Sequence, residues 1–495
     1  MSQVVVSTEC PSCGGPLDFS EGVNALRCPS CGSDLLVTGR KQVLSYWVRP
    51  KIKADVAGAA ARTGRLQARV ARARLYFVPF YRLTGHDFQW QDVPPRPTPA
   101  TPIFPRGGES EPPEIDVPLG SVIGWGADLL LGRKAGDVVR DLLDEPRRPE
   151  RPLDLVVLSA PPPSTMNDTA ERQVQFLDRY VEKSFPAADL PDLGVVSLGV
   201  RAQVLRVSLF ERAALAELGA IVATGIPPER AMTQGLAARG YQHVIYRQVL
   251  GRVLSLIYVP FWVVELAQDA ERWLTVVDAV AETVVTPRAP LTLYEALDRE
   301  DTAEPRTVGL RPLVCPNCGW ALPVTPEDVI FCCPSCHRAW QIHGAELTDM
   351  PHEIADLRLE AAQPGPTDDL VYLPFWRLDA SGPGEGVAWA PAFGCRRLKM
   401  LHDLAARLTA KPPVYRPWTG ERPPLHGCFY DAEDAVSLAR FAAVGRGRTP
   451  RAVQAAAEAE PAFTDARLTW LPFRREGQSL LDPSTGLALP ETLLG

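Results

Sequence analysis

The sequence predicts an α+β protein in which a cysteine-rich segment and the elements after it occur twice. Two four-cysteine segments with the same internal spacing begin at Cys10 and Cys315. A short aromatic-aliphatic-Pro-Phe segment occurs four times, twice after each cysteine segment. The remaining predicted strands and helices lack the regular alternation of a doubly wound sheet. We therefore predict an internal duplication, each half having a cysteine-rich module followed by helix-plus-β-hairpin repeats.

The cysteine segments each contain two C-x2-C turns, and 14 residues separate the inner cysteines in both. Without gaps, Pro11 and Gly14 align with Pro316 and Gly319. Four thiolates in two such turns can surround Zn(II) as a tetrahedron. The spacing predicts two zinc ribbons and two Zn(II) per chain, bound by Cys10, Cys13, Cys28, Cys31, Cys315, Cys318, Cys333 and Cys336.

Other uses of these cysteines fit less well. Nothing before Cys10 resembles a signal peptide, so we expect a cytoplasmic, reducing location where disulfides do not persist. The C-x-x-C-H pattern ending at His337 also occurs at haem attachment sites, but haem would leave Cys315 and Cys318 unexplained. Cys332 is expected to be a spare thiol, and Cys395 and Cys428 are expected to be small core residues. His337 and His343 are not expected to be metal ligands.

The four aromatic-Pro-Phe segments are predicted to be β-strands because aromatic and branched residues dominate them. They are Tyr76–Tyr81, Tyr258–Trp262, Tyr372–Trp376 and Thr469–Arg474. Since proline cannot donate to a ladder, each is expected at a sheet edge or bulge. Packing is favoured over a ligand groove as the role of Pro79, Phe80, Pro260, Phe261, Trp262, Pro374, Phe375, Trp376, Pro472 and Phe473.

Six regions are predicted along the chain. They are zinc ribbon 1 (1–40), a basic helix with the first Pro-Phe hairpin (41–92), a proline-rich linker (93–152), an α+β domain with the second hairpin (153–308), zinc ribbon 2 (309–346), and an α+β domain with the last two hairpins (347–495). Strands are expected at 155–158 and within 195–210. Helices are expected at 54–74, 168–185, 212–224, 228–239, 396–409, 431–445 and 450–459.

The predicted helix over 54–74 carries a basic stripe. Four arginines follow each other at helical spacing: Arg62, Arg65, Arg69 and Arg72. Such a face can meet nucleic acid, an anionic membrane surface or an acidic protein, and residues 345–370 supply seven acids within the chain itself. A solvated or internally paired face is the simplest interpretation.

The composition of the chain and the absence of known catalytic motifs limit the classes of function that fit this sequence. The net charge of −7 argues against a protein coated with nucleic acid. The longest apolar run, Val253–Val264, is too short to cross a bilayer. No phosphate-binding loop, zinc-protease or nucleophile-elbow motif occurs, and four thiolates leave no open metal position. We therefore predict no enzymatic activity and identify no small-molecule substrate, although an unrecognised enzyme remains an alternative.

These residues resemble a family of bacterial proteins with a TFIIB-type double zinc ribbon and repeated YLPFW segments, often loosely labelled PriA-like. The resemblance rests on the eight cysteines and on the segments around Pro79, Pro260, Pro374 and Pro472. It implies the architecture and no established catalytic activity. Some members resemble partners of membrane-stress proteins of the phage-shock type.

The resulting expectation is a cytoplasmic, non-enzymatic zinc-ribbon scaffold or adaptor that acts through protein contacts. The main alternative is an accessory protein that binds nucleic acid through the basic helix and the ribbons. The metal can stabilise a small module, present a protein-binding face or support nucleic-acid contact, and the sequence leaves these three roles open.

Overall fold

A computed structural model describes residues 4–39, 41–64, 67–93, 173–198, 206–237, 243–299, 306, 308–356, 370–381, 386–420, 422–447, 449–459 and 461–494. These residues belong to one compact unit that spans Met1–Val93 and Arg172–Gly495. The α+β class is confirmed. The predicted linker beyond Val93, the predicted strand at 155–158 and the start of the helix predicted over 168–185 lie outside the described residues.

The elements of the first half are β1 (Val5–Glu9), β2 (Pro16–Ser20), β3 (Ala25–Arg27), β4 (Asp34–Thr38), β5 (Leu44–Trp47), α1 (Ala54–Ala61), β6 (Arg69–Val93), β7 (Gln173–Pro186), β8 (Arg206–Leu209), α2 (Arg212–Leu218), β9 (Ala220–Ile221), α3 (Pro228–Leu236), β10 (Val244–Gln268), β11 (Glu271–Asp278), β12 (Val284–Ala289) and α4 (Leu293–Leu297). The elements of the second half are β13 (Gly309–Pro312), β14 (Ile330–Cys332), β15 (Ala339–His343), β16 (Glu346–Met350), β17 (His352–Asp356), β18 (Leu370–Ser381), β19 (Gly386–Pro391), α5 (Leu398–Ala410), β20 (Arg416–Pro417), α6 (Ala432–Val444), α7 (Pro450–Glu458), β21 (Ala462–Glu476), β22 (Ser479–Leu481) and β23 (Ala488–Pro490).

Two large sheets are each built around a pair of long antiparallel strands. In the ten-stranded sheet the pair is β6 and β10, and in the seven-stranded sheet it is β18 and β21. A short strand from just after each cysteine segment joins the second strand of the pair in parallel, β5 beside β10 and β17 beside β21. The turn with Cys10 and Cys13 joins β1 to β2 of the ten-stranded sheet, and two three-stranded sheets, β13-β4-β3 and β14-β15-β16, adjoin the other three cysteine turns.

The four aromatic-Pro-Phe segments lie in these long strands and pair two by two in one register. Val78 lies opposite Val259, and Leu373 lies opposite Leu471. On either side of these aliphatic pairs a proline lies opposite an aromatic residue. The flanking pairs are Pro79 with Tyr258, Phe77 with Pro260, Tyr372 with Pro472, and Pro374 with Trp470.

The prediction that these prolines mark sheet edges or bulges was wrong, because the strands have neighbours on both sides. Proline has no N–H to donate to a neighbouring strand, and this is tolerated because the neighbouring strand ends beside the proline. Strand β7 ends at Pro186, opposite Phe80, and the next amide, that of Ala187, donates to the carbonyl oxygen of Pro79 at 2.8 Å. The amides of Ala279 and Ala392 make the same bond to Pro260 and Pro374, at 3.1 and 2.9 Å.

Two helix predictions were wrong and others are confirmed. Gln173–Pro186 is a strand rather than the end of a helix, because it pairs with β6 along fourteen residues. Helix α1 ends at Ala61, and Gly64 then adopts a φ of 75° that turns the chain toward β6. Helices α3, α5, α6 and α7 lie where the sequence predicts them, and the Thr449 side chain caps α7. The helix predicted over 212–224 is shorter than expected, because α2 ends at Leu218 and Ala220–Ile221 pairs with β6 as strand β9. Among the described residues, no helix is both long and apolar enough to cross a membrane.

The phenylalanines of the four segments form the centres of the hydrophobic cores. Phe80 and Phe261 lie in one core, and Phe375 and Phe473 lie in another, all with at most 1% of their surface exposed. The core around Phe375 also includes Phe88 and Trp90 from the far end of β6, so the two halves share apolar packing. These burials match packing side chains rather than the walls of a groove.

Candidate metal centres

Four turns of one backbone design hold the cysteines. In each turn the first cysteine's amide donates to the carbonyl five residues later, at Gly15, Ser33, Trp320 and Arg338, over 2.8–2.9 Å. The same cysteine's carbonyl oxygen accepts from the amide four residues later. That fourth residue has a positive φ, which glycine adopts without penalty: Gly14 (70°), Gly32 (74°), Gly319 (74°) and His337 (59°).

The eight predicted ligands come together in two groups of four, as the spacing predicts. Within each group the sulfur atoms lie within 4.8 Å of one another. The Cys10–Cys31 and Cys13–Cys28 sulfurs are both 3.9 Å apart. In the second group the corresponding separations, Cys315–Cys336 and Cys318–Cys333, are 3.5 and 3.6 Å. A tetrahedron with metal–sulfur bonds of about 2.3 Å has sulfur atoms about 3.8 Å apart, so both groups fit one ion.

The metal-free thiols differ in acidity because their surroundings differ. The hydroxyl of Ser33 lowers the pKa of Cys31 to about 6, and the backbone amide of Arg338 does the same for Cys336. Burial raises the pKa of Cys333 to about 12. A metal ion binds thiolates, so metal binding would release the protons that the thiols with a raised pKa retain.

The two cysteine modules, residues 4–38 and 309–350, pack against each other. Strand β13 of the second module pairs with β4 of the first. The side-chain amide of Asn24 donates to the carbonyl oxygen of Glu327 at 3.2 Å. Leu36 shares one apolar cluster with Phe331 and Trp340. This pairing fixes the position of one metal site relative to the other.

The remaining cysteines and histidines stay outside the two groups. Cys395 and Cys428 are buried core residues, as expected. Cys332 is partly buried beside the ligand Cys333, and burial raises its pKa to about 12. Among the described residues, both metal-capable groups consist of cysteine alone, so His337 and His343 are not part of them.

Two more turns repeat the cysteine turn without cysteine, and the sequence analysis missed this relationship. Asp278 and Asp482 make the same two backbone hydrogen bonds, with the residues five and four positions later. Their fourth residues, Glu282 and Gly486, also have positive φ. Each aspartate accepts hydrogen bonds from the amides two and three residues later. Residues 482–486 contain proline, serine and glycine, which are typical of turns, whereas residues 278–282 contain none of these.

The predicted basic helical stripe does not exist as such. Arg62 directly follows the last residue of α1, and Arg65 lies outside the described residues. Arg69 and Arg72 belong to strand β6, where Arg72 lies over the ring of Tyr294 at 5.6 Å. Pairing with β10 overrides the helical spacing in this segment. Arg62 is exposed after α1, and Arg69 and Arg72 are exposed on β6, so these three arginines do not share one helical face.

Comparison of the chain with models of known protein families, with curated proteins and with solved structures gave no match. The site is therefore interpreted from its geometry alone.

Proposed function

We propose that each tetracysteine group binds one Zn(II), so that the chain holds two ions in two zinc ribbons. The all-thiolate ligand sets and the sulfur separations of 3.5–3.9 Å support this assignment. Zn(II) is redox-inert and imposes no geometry beyond the tetrahedron that four cysteines supply. Because four thiolates complete the coordination, the ions would stabilise the modules and would leave no position for a substrate.

We further propose that the chain arose by duplication of one ribbon-plus-sheet unit. Besides the common strand register, the hydrogen bonds around the prolines recur. The carbonyl oxygen of Ala187 accepts from the amides of Gly225 and Ile226 at 2.9 and 3.0 Å. That of Ala392 accepts from Phe429 and Tyr430 at 2.6 and 2.9 Å. Such detailed repetition at unrelated sequences supports common descent of the halves.

We propose that the protein acts as a non-enzymatic scaffold or adaptor that binds another protein through the second ribbon. The observation that carries this proposal is Trp320, whose side chain is 60% exposed directly after Cys318 and Gly319. Val314, which forms an isolated β-bridge with Ala321, is 44% exposed. A rigid ribbon holds these apolar groups in water, and tryptophan is enriched among residues that dominate protein–protein affinity.

The test is capture of partners by the purified full chain and by its Trp320→Ala variant. We expect a defined set of proteins to be retained by the wild type and lost in the variant, while the zinc content of both stays at two per chain. Val414→Ala is the matched control, because Val414 is 92% exposed and lies far along the chain from the ribbon. Partners that bind both proteins equally would contradict the role of Trp320.

Measuring binding to oligonucleotides distinguishes the adaptor proposal from the main alternative, an accessory protein that binds nucleic acid. An exposed tryptophan can also stack on bases, and such binding weakens steeply with salt because counterions are released. If Trp320 instead binds single-stranded nucleic acid with that salt dependence, and no protein partner requires it, the adaptor proposal is wrong.

A further inference from the structure

A cavity of about 540 Å³ lies where the first cysteine module, strands β6 and β10, and the start of α6 meet. Its walls include Phe19 and Glu21 from the module, Arg82 from β6, and Asp431 and Asp434 from the second half. The volume is in the range of sites for small molecules. The cavity is separate from both tetracysteine groups, whose sulfur ligands do not line it.

One wall carries a buried ionic group with excess negative charge. Arg82 is only 3% exposed and forms ion pairs with both Glu21 and Glu182. One guanidinium therefore faces two carboxyl groups. Burial raises the pKa of Glu21, which outweighs the opposing influence of Arg82. The nearby Ser255 hydroxyl donates to the carbonyl oxygen of Arg82 at 3.5 Å. A buried ion group that is not neutralised is costly, so further positive charge is favourable here.

Glu21 has an unused acceptor in this wall. Its side chain is 4% exposed, and Oε2 takes the bond from Arg82. Oε1 is buried and has no hydrogen-bond partner among the described residues. Buried carboxylate oxygens are normally satisfied, so an unpartnered one that lines a cavity indicates a missing donor.

The opposite wall of the cavity also has more acidic than basic side chains. Lys41 forms ion pairs with Asp431 at 2.9 Å and with Glu433 at 3.1 Å. Asp434 accepts a hydrogen bond from the amide of Gly251 at 2.8 Å. The lining as a whole has five acids and three basic side chains, namely Glu21, Glu327, Asp431, Glu433 and Asp434 against Lys41, Arg82 and Arg252. Since Lys41 and Arg82 already face two carboxyl groups each, the cavity is poorly suited to an anion.

We propose that this cavity binds a small organic cation, with its ammonium group against Glu21 and its hydrocarbon part on the apolar lining. Apolar contact is available from Val4, Phe19, Val37, Leu254 and Met232. Tyr46 and Tyr180 also line the cavity, and a phenol oxygen can accept a hydrogen bond from an ammonium group. Burial raises the pKa of both phenols, which keeps them neutral.

Calorimetric titration of the zinc-loaded full chain tests the proposal with 1,4-diaminobutane and n-butylamine as probes. Butan-1-ol and butyrate, of similar size, serve as the neutral and anionic comparisons. We expect saturable binding of the amines at one site per chain and none of the alcohol or the carboxylate. Binding of butyrate in preference to the amines, or no saturable amine binding, overturns the proposal.

Two substitutions with opposite effects locate the site. Glu21→Gln keeps the size of the side chain and removes its charge, so amine affinity should fall at least tenfold. Lys41→Met removes a positive charge from the opposite wall and leaves Asp431 and Glu433 without this ion-pair partner. The affinity for amines should therefore rise several-fold. Because Lys41 is 48% exposed, this variant tests the proposal even if Glu21→Gln does not fold.

Glu271→Gln is the matched control. Glu271 pairs with Arg288 at 2.8 Å, is 68% exposed and does not line the cavity, so its variant should bind amines like the wild type. Equal losses in Glu21→Gln and Glu271→Gln would show nonspecific attraction of cations by an acidic protein and would refute the site. No change in Lys41→Met would mean that the amine does not bind in this cavity, which would also refute it.

Discussion

The phenol of Tyr81 donates a hydrogen bond to the backbone carbonyl oxygen of Ile226 at 2.8 Å. Trp376, which follows Phe375 as Tyr81 follows Phe80, donates from its indole nitrogen to the carbonyl oxygen of Tyr430 at 2.9 Å. Each bond ties a long strand to the segment just before a helix, α3 in the first half and α6 in the second.

Tyr81→Phe should lower the free energy of unfolding by about 1–3 kcal/mol, because it removes the donor to a part-buried carbonyl group. Denaturant unfolding of the zinc-loaded protein measures the change. Tyr294→Phe is the control, since the Tyr294 hydroxyl is buried without a hydrogen-bond partner among the described residues. That variant should be neutral or slightly stabilising. Equal losses in the two variants would mean that the Tyr81 bond contributes nothing specific.

The sequence predicted local features well where the chemistry is local. The cysteine turns need only their own spacing and a residue with positive φ, so all eight cysteines of the two groups were identified. The strands around Pro79, Pro260, Pro374 and Pro472 were also predicted, because aromatic and branched residues dominate them. Helix α7 was visible from the cap Thr449 and from Pro450 at the first position.

Features that depend on distant pairing were predicted poorly. Gln173–Pro186 has apolar residues at helical spacing, yet fourteen cross-strand pairs with β6 make it a strand. The same competition places Arg69 and Arg72 on β6 instead of α1. The prolines were assigned to sheet edges because a short segment does not show where its neighbour ends. The cavity beside Glu21 combines residues that lie hundreds of positions apart in the sequence, so no local sequence pattern indicates it.

His337→Gly should stabilise the second ribbon. His337 has a φ of 59°, whereas glycine occupies this place in the other three cysteine turns. The left-handed conformation costs a non-glycine residue about 1–2 kcal/mol, and the freer unfolded chain of glycine offsets about 0.4–1 of that. We expect a gain of about 0.5–1 kcal/mol in denaturant unfolding. His337→Ala keeps the strained backbone and should show no such gain; an equal gain would assign the effect to the imidazole.

Phe375→Ala should be among the most damaging substitutions in the second half. Phe375 is fully buried and its ring stacks on Phe473, with centroids 5.9 Å apart and planes 2° apart. Loss of such a ring costs about 3–5 kcal/mol through lost contacts and a residual cavity. Phe261→Ala should have a similar effect in the first half. Exposed Val414→Ala should change the unfolding free energy by less than about 0.5 kcal/mol, and a near-neutral Phe375→Ala would contradict a core role.

Cys13→Ser should reduce the zinc content from two ions per chain to one. The variant removes one of four thiolates from the first site and leaves the second group intact. Elemental analysis of the dialysed protein measures the ion count. Cys332→Ser is the matched control, because this thiol lies beside a ligand but outside both groups, and it should retain two ions. Loss of zinc from Cys332→Ser would refute the ligand assignment, and iron in place of zinc in the wild type would refute the choice of metal.

Gly445→Ala should disrupt the packing between the halves. Gly445 ends α6, and its ordinary φ of −70° places no strain on alanine. A Cβ atom there would lie 2.9 Å from the indole nitrogen of Trp90 and closer still to its ring carbons. Trp90 cannot easily retreat, because it stacks on Phe441 with centroids 5.2 Å apart. Overpacking of this kind costs about 1–3 kcal/mol.

A double-mutant cycle assigns that effect to the contact. In a Trp90→Phe background the smaller ring leaves room for the new methyl group, so Gly445→Ala should lose most of its effect on the unfolding free energy. Gly225→Ala is the control, since the nearest atom to its added Cβ lies 3.7 Å away and the substitution should be nearly neutral. If Gly445→Ala destabilises equally with and without the Trp90 indole, then the loss arises elsewhere and this contact does not couple β6 to α6.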